Sequence, residues 1–191
     1  MKEYKVQVFE NRTEWHHNGK LHREDGPAIE YSDGGKEWFK DGKQHRVDGP
    51  ARIWENGSEI WYKNGLLHRD DGPAIIWSNG LNEWYNRGFL HREDGPAVVL
   101  GDGSKEWWFN GNRHRDDGPA VECHNGSKRW WVNNKLHRLD GPAMEDTDGT
   151  RWWYIEGVNY SESEFLAKTT NKELTIAQIE EILGYSIKIV K

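Results

Sequence analysis

Short runs of apolar and aromatic residues alternate with polar turns along most of this chain, and within a run the alternation has the two-residue period of a strand. Ala28 to Ser32, Lys36 to Lys40 and Lys43 to Arg46 are three such runs in succession, separated by Asp33-Gly34 and Asp41-Gly42. Nothing in this region keeps helical spacing. The pattern predicts short strands joined by tight turns, and it recurs.

The recurrence is a fixed period of 23 residues. Pro27, Pro50, Pro73, Pro96, Pro119 and Pro142 are the six prolines of the chain, each inside a His-Arg-x-Asp-Gly-Pro-Ala segment that runs first from His22 to Ala28 and last from His137 to Ala143. Trp15, Trp38, Trp61, Trp84, Trp107, Trp130 and Trp153 keep the same period. One Asx-Gly pair precedes the Trp, as in Asp33-Gly34 or Asn56-Gly57. A second follows it, as in Asp41-Gly42 or Asn64-Gly65, degraded to Arg87-Gly88, Asn133-Asn134 and Glu156-Gly157. Asx-Gly between strands signals a type I′ hairpin, which needs positive φ at both central residues, so each unit is expected to carry two hairpin turns. The third corner is Asp-Gly-Pro-Ala, where the proline has no N–H to donate. The fold class predicted is all-β: an extended antiparallel hairpin-repeat sheet or solenoid, each thin unit stabilised by stacking on its neighbours.

Such an array needs caps. Tyr4 to Phe9, turning at Glu10-Asn11 into Thr13 to His17, supplies a strand at the amino end. After Tyr160 the pattern changes: Ser161-x-x-Glu164 is a capping box, Phe165 and Leu166 follow it, Thr175 to Leu183 has helical spacing, and Tyr185 to Val190 alternates. We divide the chain into a repeat array over 1–158 and a helix-helix-strand cap over 159–191 that covers the open sheet edge.

Composition explains how so polar a chain folds. Charged residues are 30% and hydrophobic ones 35% of the 191 residues, but twelve are Trp. Each packed indole buries on the order of 150–250 Å², so the rings carry the apolar load. The invariant Trp row is the expected core, helped by Leu21, Leu67, Leu90 and Leu136. A net charge of −6 opposes general affinity for nucleic acid or anionic lipid. The opening residues lead into no apolar signal region and no run is long enough to span a bilayer, so a soluble, cytoplasmic protein is expected. The single cysteine, Cys123, fits a reducing compartment.

The 23-residue hairpin unit, with Trp61-Tyr62-Lys63-Asn64-Gly65 followed by Asp71-Gly72-Pro73-Ala74, resembles the MORN repeat, especially the divergent variant of bacterial and phage proteins, over about residues 13 to 157. The resemblance implies a binding platform or scaffold without a catalytic centre. It also suggests an accessory or anti-defence role, in the host cytoplasm if the protein is phage-encoded. The His-Arg-x-Asp corner departs from the usual MORN pattern, so lipid binding is not carried over.

No cofactor or metal is expected. A catalytic site is one constellation, whereas His-Arg-x-Asp appears six times in equivalent surroundings, which argues for structure. Cys123-His124 and His16-His17 are adjacent strand residues that point to opposite faces. The same alternation gives the array a second aromatic row: His16, Phe39, Tyr62, Tyr85, Trp108, Trp131 and Tyr154 follow the invariant Trp. Tyr31, Trp54 and Trp77 are its companions from the preceding strands. Tyr31, Phe39, Trp54, Tyr62, Trp77, Tyr85, Trp108 and Trp131 are therefore the candidate partner surface, either a groove or a second packed layer. The expected partner is another protein, with self-association through a sheet edge left open. A small-ligand module is the alternative: an aromatic cage for choline or glycan, or a sponge holding a nucleotide signal between rings and arginines.

Overall fold

The computed structural model describes residues 3–170 and Glu180. Among them the chain is all-β except for α1 (Glu162–Thr170) and Glu180: a 16-stranded antiparallel sheet runs along the array, with five two-stranded hairpins beside it. Each unit contributes one hairpin to each. Ile29–Tyr31 and Lys36–Glu37 enter the long sheet, while Phe39–Lys40 and Lys43–Gln44 form a hairpin of their own. Only the terminal units have longer strands, Arg12–His17 at one end and Arg151–Ile155 at the other.

The run Lys36 to Lys40, expected as one strand, breaks at Trp38. Its N–H donates to the Ala51 carbonyl of the next unit (2.8 Å), and its carbonyl accepts the His45 N–H (3.0 Å). The two backbone groups of one residue thus serve two separate ladders, and the chain must bend between them. Trp61, Trp84, Trp107 and Trp130 repeat the arrangement. The array is consequently two ribbons hinged along the Trp row, not a single meander.

Only one of the two predicted turns is type I′. In the outlying hairpins both central residues have positive φ, as at Asp41 (52°) and Gly42 (81°), and the degraded pairs comply, Arg87 at 50° and Asn133 and Asn134 at 48° and 62°. In the long sheet only the glycine is left-handed. There the Asx side chain closes the turn: Asp33 Oδ1 accepts the Gly35 N–H at 2.8 Å, with the same contact from Asn56 to Ser58 and from Asp102 to Ser104. The side-chain oxygen replaces the backbone geometry the dipeptide suggested.

The Trp row is not the core. Ala28, Ala51, Ala74, Ala97, Ala120 and Ala143, the last residue of each corner, are 0% exposed, and Ile29, Ile60, Ile75 and Val98 are nearly so. Alanine suits this position because its carbonyl receives the bond from the preceding Trp N–H, bringing two units so close that no larger side chain fits. All twelve Trp remain partly accessible. The leucines also belong elsewhere. Leu67 lies directly across its hairpin from Tyr62, Leu90 from Tyr85, Leu136 from Trp131 and Leu21 from His16, so they share the face of the second aromatic row.

The expected capping box starts α1: Glu164 Oε2 accepts the Ser161 N–H (2.8 Å) and Ser161 Oγ accepts the Glu164 N–H (3.3 Å). The helix packs on Arg151–Ile155 and Val158–Tyr160, and Phe165 is buried there. Apart from Glu180, which is helical, the helix and strand expected over 175–190 lie outside the described residues. Among the described residues, no helix is long and apolar enough to cross a membrane.

Candidate functional site

Strand register places one continuous row of side chains along the inner face of the long sheet. Glu14, Ile29, Glu37, Arg52, Ile60 and Ile75 stand opposite one another in sequence, and Glu83, Val98, Glu106, Val121, Arg129 and Met144 continue the row. Aliphatic residues from one strand of each unit alternate with carboxylates from the other. The second aromatic row looks onto this face. Gln44, opposite Phe39, donates to Glu37 Oε2 (2.8 Å), and Arg113, opposite Trp108, donates to Glu106 Oε2 (3.1 Å).

Glu37 shows what the buried carboxylates do. It is 5% exposed and would be costly there alone, but it accepts from the Tyr31 hydroxyl (3.0 Å) and Gln44, with Arg52 Nε 3.6 Å away. Arg52 breaks its column, since Ile29, Ile75, Val98, Val121 and Met144 hold the same place. Ile60 breaks the neighbouring column of glutamates. These two exceptions face each other across the strands, and Arg129 is a third, in the glutamate column. Arg129 pairs with Asp146 at 2.6 Å.

The candidate aromatics are distributed along this face and only partly gathered. Tyr31 and Trp54 line one cavity of about 250 Å³ together with Arg52, Ile53 and Asn56, and the Arg52 guanidinium lies 3.6 Å over the Trp54 ring. Trp77 donates to Glu83 (3.4 Å) and Trp108 to Glu106 (2.8 Å). Arg113 lies over both Trp108 (4.7 Å) and Trp131 (5.1 Å). Burial pushes the phenols of Tyr31, Tyr62 and Tyr85 up, helped at Tyr31 by its bond to Glu37. Phe39 is half-buried on the first free-standing hairpin. The row is neither fully packed nor an open groove: every ring is partly accessible, and those of Tyr31, Trp54, Trp77, Trp108 and Trp131 carry a hydrogen bond or a stacked guanidinium. Arg52, Glu37, Gln44 and Arg113 were not singled out from sequence, although Arg52 is the one charge in an aliphatic column.

The invariant Trp row faces the other way, toward the corners. There Arg23, Arg46, Arg69, Arg92, Arg115 and Arg138 lie 3.9–4.3 Å over Trp15, Trp38, Trp61, Trp84, Trp107 and Trp130. Each guanidinium donates through Nε to the Asp two residues on and through Nη1 to the proline carbonyl of its corner, as Arg69 does to Asp71 (2.8 Å) and Pro73 (3.4 Å). The arginine holds Asp71, Asp94 and Asp117 below the usual carboxylate range. The histidines tie unit to unit. His45, His68, His91, His114 and His137 each accept at Nδ1 the backbone N–H of the left-handed turn residue 19 positions on, at 3.0–3.3 Å. At His22 both the Asp41 N–H (3.1 Å) and its Oδ1 (2.9 Å) crowd Nδ1.

Cys123 and His124 belong to no such cluster, and among the described residues no three His, Cys, Asp or Glu side chains are placed to hold a metal ion. No protein-family model matches this chain, and no curated protein matches it.

Proposed function

We propose that this is a non-enzymatic binding protein of the MORN-like kind, which engages a macromolecular partner, another protein, along its array. The observation that carries the reading is that all twelve Trp stay partly accessible although the chain is poor in other large apolar residues. A chain that folded only for its own sake would sink these rings; rows of half-exposed aromatics at a fixed pitch suit a long contact surface. Two strands per unit at about 4.8 Å each advance the surface by about 10 Å per repeat.

The cage for a quaternary ammonium or sugar is less well supported. Cages need converging ring faces, and here guanidiniums already lie on one face of Trp54, Trp108, Trp131 and the corner tryptophans. An accessory or anti-defence role in a bacterial or phage cytoplasm rests on the repeat resemblance alone.

The test compares the parent with a Trp54→Ala, Trp77→Ala variant in capture from bacterial lysate and in titration with choline. Loss of a captured protein in the folded variant, with unchanged Trp fluorescence at high millimolar choline, is the expected result. Equal capture by both proteins removes the inner face as the contact surface.

A further inference from the structure

The corner side of the array carries a charge pattern of its own. The six stacked guanidiniums are only 21–26% exposed, whereas the Asp residues that hold them are 76–82% exposed. Solvent therefore meets the carboxylates and not the arginines. The variable residue of His-Arg-x-Asp adds to this: it is Glu24, Val47, Asp70, Glu93, Asp116 and Leu139 in successive units. Each of the four acids points outward, Asp70 at 74%, Glu93 at 81% and Asp116 at 88% exposed, and each stands beside its corner histidine. Val47 and Leu139 are exposed apolar residues at the same place.

Between consecutive corners lie grooves of about 600–700 Å³. Three have one build, their walls the His-Arg-x-Asp segments of two neighbouring units and their floor the intervening Trp strand: between His22 and Asp48, between His68 and Asp94, and between Arg92 and Asp117. The latter two each set four carboxylates against two pinned arginines, with Lys63 Nζ reaching Asp70 Oδ2 at 3.3 Å in the first of them. In the first groove His22 is 2% exposed and its Nε2 meets no hydrogen-bond partner. Its Nδ1 lies 2.9 Å from the Asp41 carboxylate and 3.1 Å from the Asp41 N–H, and its Nε2 lies 3.9 Å from Glu24 Oε1.

We propose that this corner ridge binds an extended, cationic segment of a partner protein, one basic residue per acidic corner and an apolar residue at Val47 and Leu139. The pitch sets the spacing. A repeat of about 10 Å equals three residues of extended chain at about 3.3 Å each, and a polyproline II segment returns a side chain to one face every three residues, about 9.3 Å. Reading the ridge from Glu24 to Leu139 gives the order basic, apolar, basic, basic, basic, apolar at every third residue. Lys or Arg side chains then meet the exposed carboxylates, displacing Lys63 from Asp70. Phe39, Tyr85 and Trp108 of the second aromatic row reach the floors of these grooves, but Trp54 and Trp77 line none of them, so the Trp54→Ala, Trp77→Ala variant separates this proposal from the contact surface proposed above.

The test uses the full chain and three proline-spaced peptides of equal charge: one with Lys or Leu at every third residue in the order above, read in either direction, one with four-residue spacing, and one with the two leucines moved among the lysines. We expect the first to bind at least tenfold more tightly than the others at about 0.15 M salt. An Asp70→Asn, Glu93→Gln, Asp116→Asn variant should lose at least tenfold; the chain already tolerates uncharged residues at this place in Val47 and Leu139. The Trp54→Ala, Trp77→Ala variant should bind the peptide as the parent does. Equal affinity for all three peptides, or an unchanged affinity in the triple variant whose far-ultraviolet spectrum and melting temperature match the parent, overturns the proposal.

Discussion

The arginine of each corner does three jobs with one planar group. In Arg69 the face covers Trp61 at 4.0 Å while Nε holds Asp71 and Nη1 holds the Pro73 carbonyl, a geometry only a guanidinium supplies. Arg69→Lys keeps the charge and loses the fork. We expect it to cost about 1–2 kcal/mol, seen as a lower urea midpoint with an unchanged slope. The buried Glu37 allows a sharper test. Glu37→Ile strands the Tyr31 hydroxyl, Gln44 and Arg52, and should cost about 2–4 kcal/mol. Adding Arg52→Ile should recover part of that loss, because the column then reads as it does elsewhere; a double-mutant cycle on melting temperatures gives the coupling. The Arg-to-Asp bonding was legible in the seven-residue motif, whose spacing leaves the two side chains neighbours. The stack on Trp was not, because the partner tryptophan lies eight residues upstream and reaches the arginine only through the bend of the hairpin.

Elements in this protein are barely elements: most strands are two residues long, too short to persist without the unit on either side. What fixes them is the alanine ladder. Ala97 is fully buried between units, and Ala97→Leu should force neighbouring backbones apart at a cost of about 1–3 kcal/mol or more, measured by chemical denaturation. The period, turns and strand order of the units were readable from sequence, since glycine, proline and Asx report backbone geometry directly. Where the core sits was not. Large rings suggest burial by area, but the residue at the tightest approach must be the smallest, and Ala28 and its equivalents looked like mere punctuation after the proline. The break at Trp38 was hidden for a related reason: alternation continues across the bend, while only the hydrogen bonds change partners.

At the scale of the whole molecule, His45 makes the cohesion of adjacent units depend on pH. Burial, then Lys40 and Lys63, holds the His45 imidazole below its ordinary value of 6.5, and its corner offers Val47 where four of the others offer an acid. The neutral form accepts the Asn64 N–H; the protonated form has no lone pair at Nδ1 to do so. A pKa lower in the folded than in the unfolded chain means that this stability is present above about 6.5 and is lost as pH falls through the folded value. His45→Gln should flatten the dependence of the urea midpoint between about pH 7.5 and 5.5. The corner aspartates Asp48, Asp71, Asp94, Asp117 and Asp140 act further down: their pKa values are lowered by the arginines, so their contribution is present above the ordinary aspartate range and disappears as the medium becomes strongly acidic.

The bonds that join one unit to the next also set how the chain finds its fold. Hydrogen bonds between units connect residues 13 to 22 positions apart, and among the described residues no strand pairs with one beyond the adjacent unit. An all-β protein usually folds slowly because distant segments must meet. Here the loops that must close are all short and nearly equal, so folding should be fast for a sheet of this width, starting in any adjacent pair of units and spreading outward. A defect in a middle unit, such as Ala97→Leu, would then act as a firebreak: stopped-flow refolding of that variant should resolve two phases where the parent shows one, as the halves on either side form separately and join late.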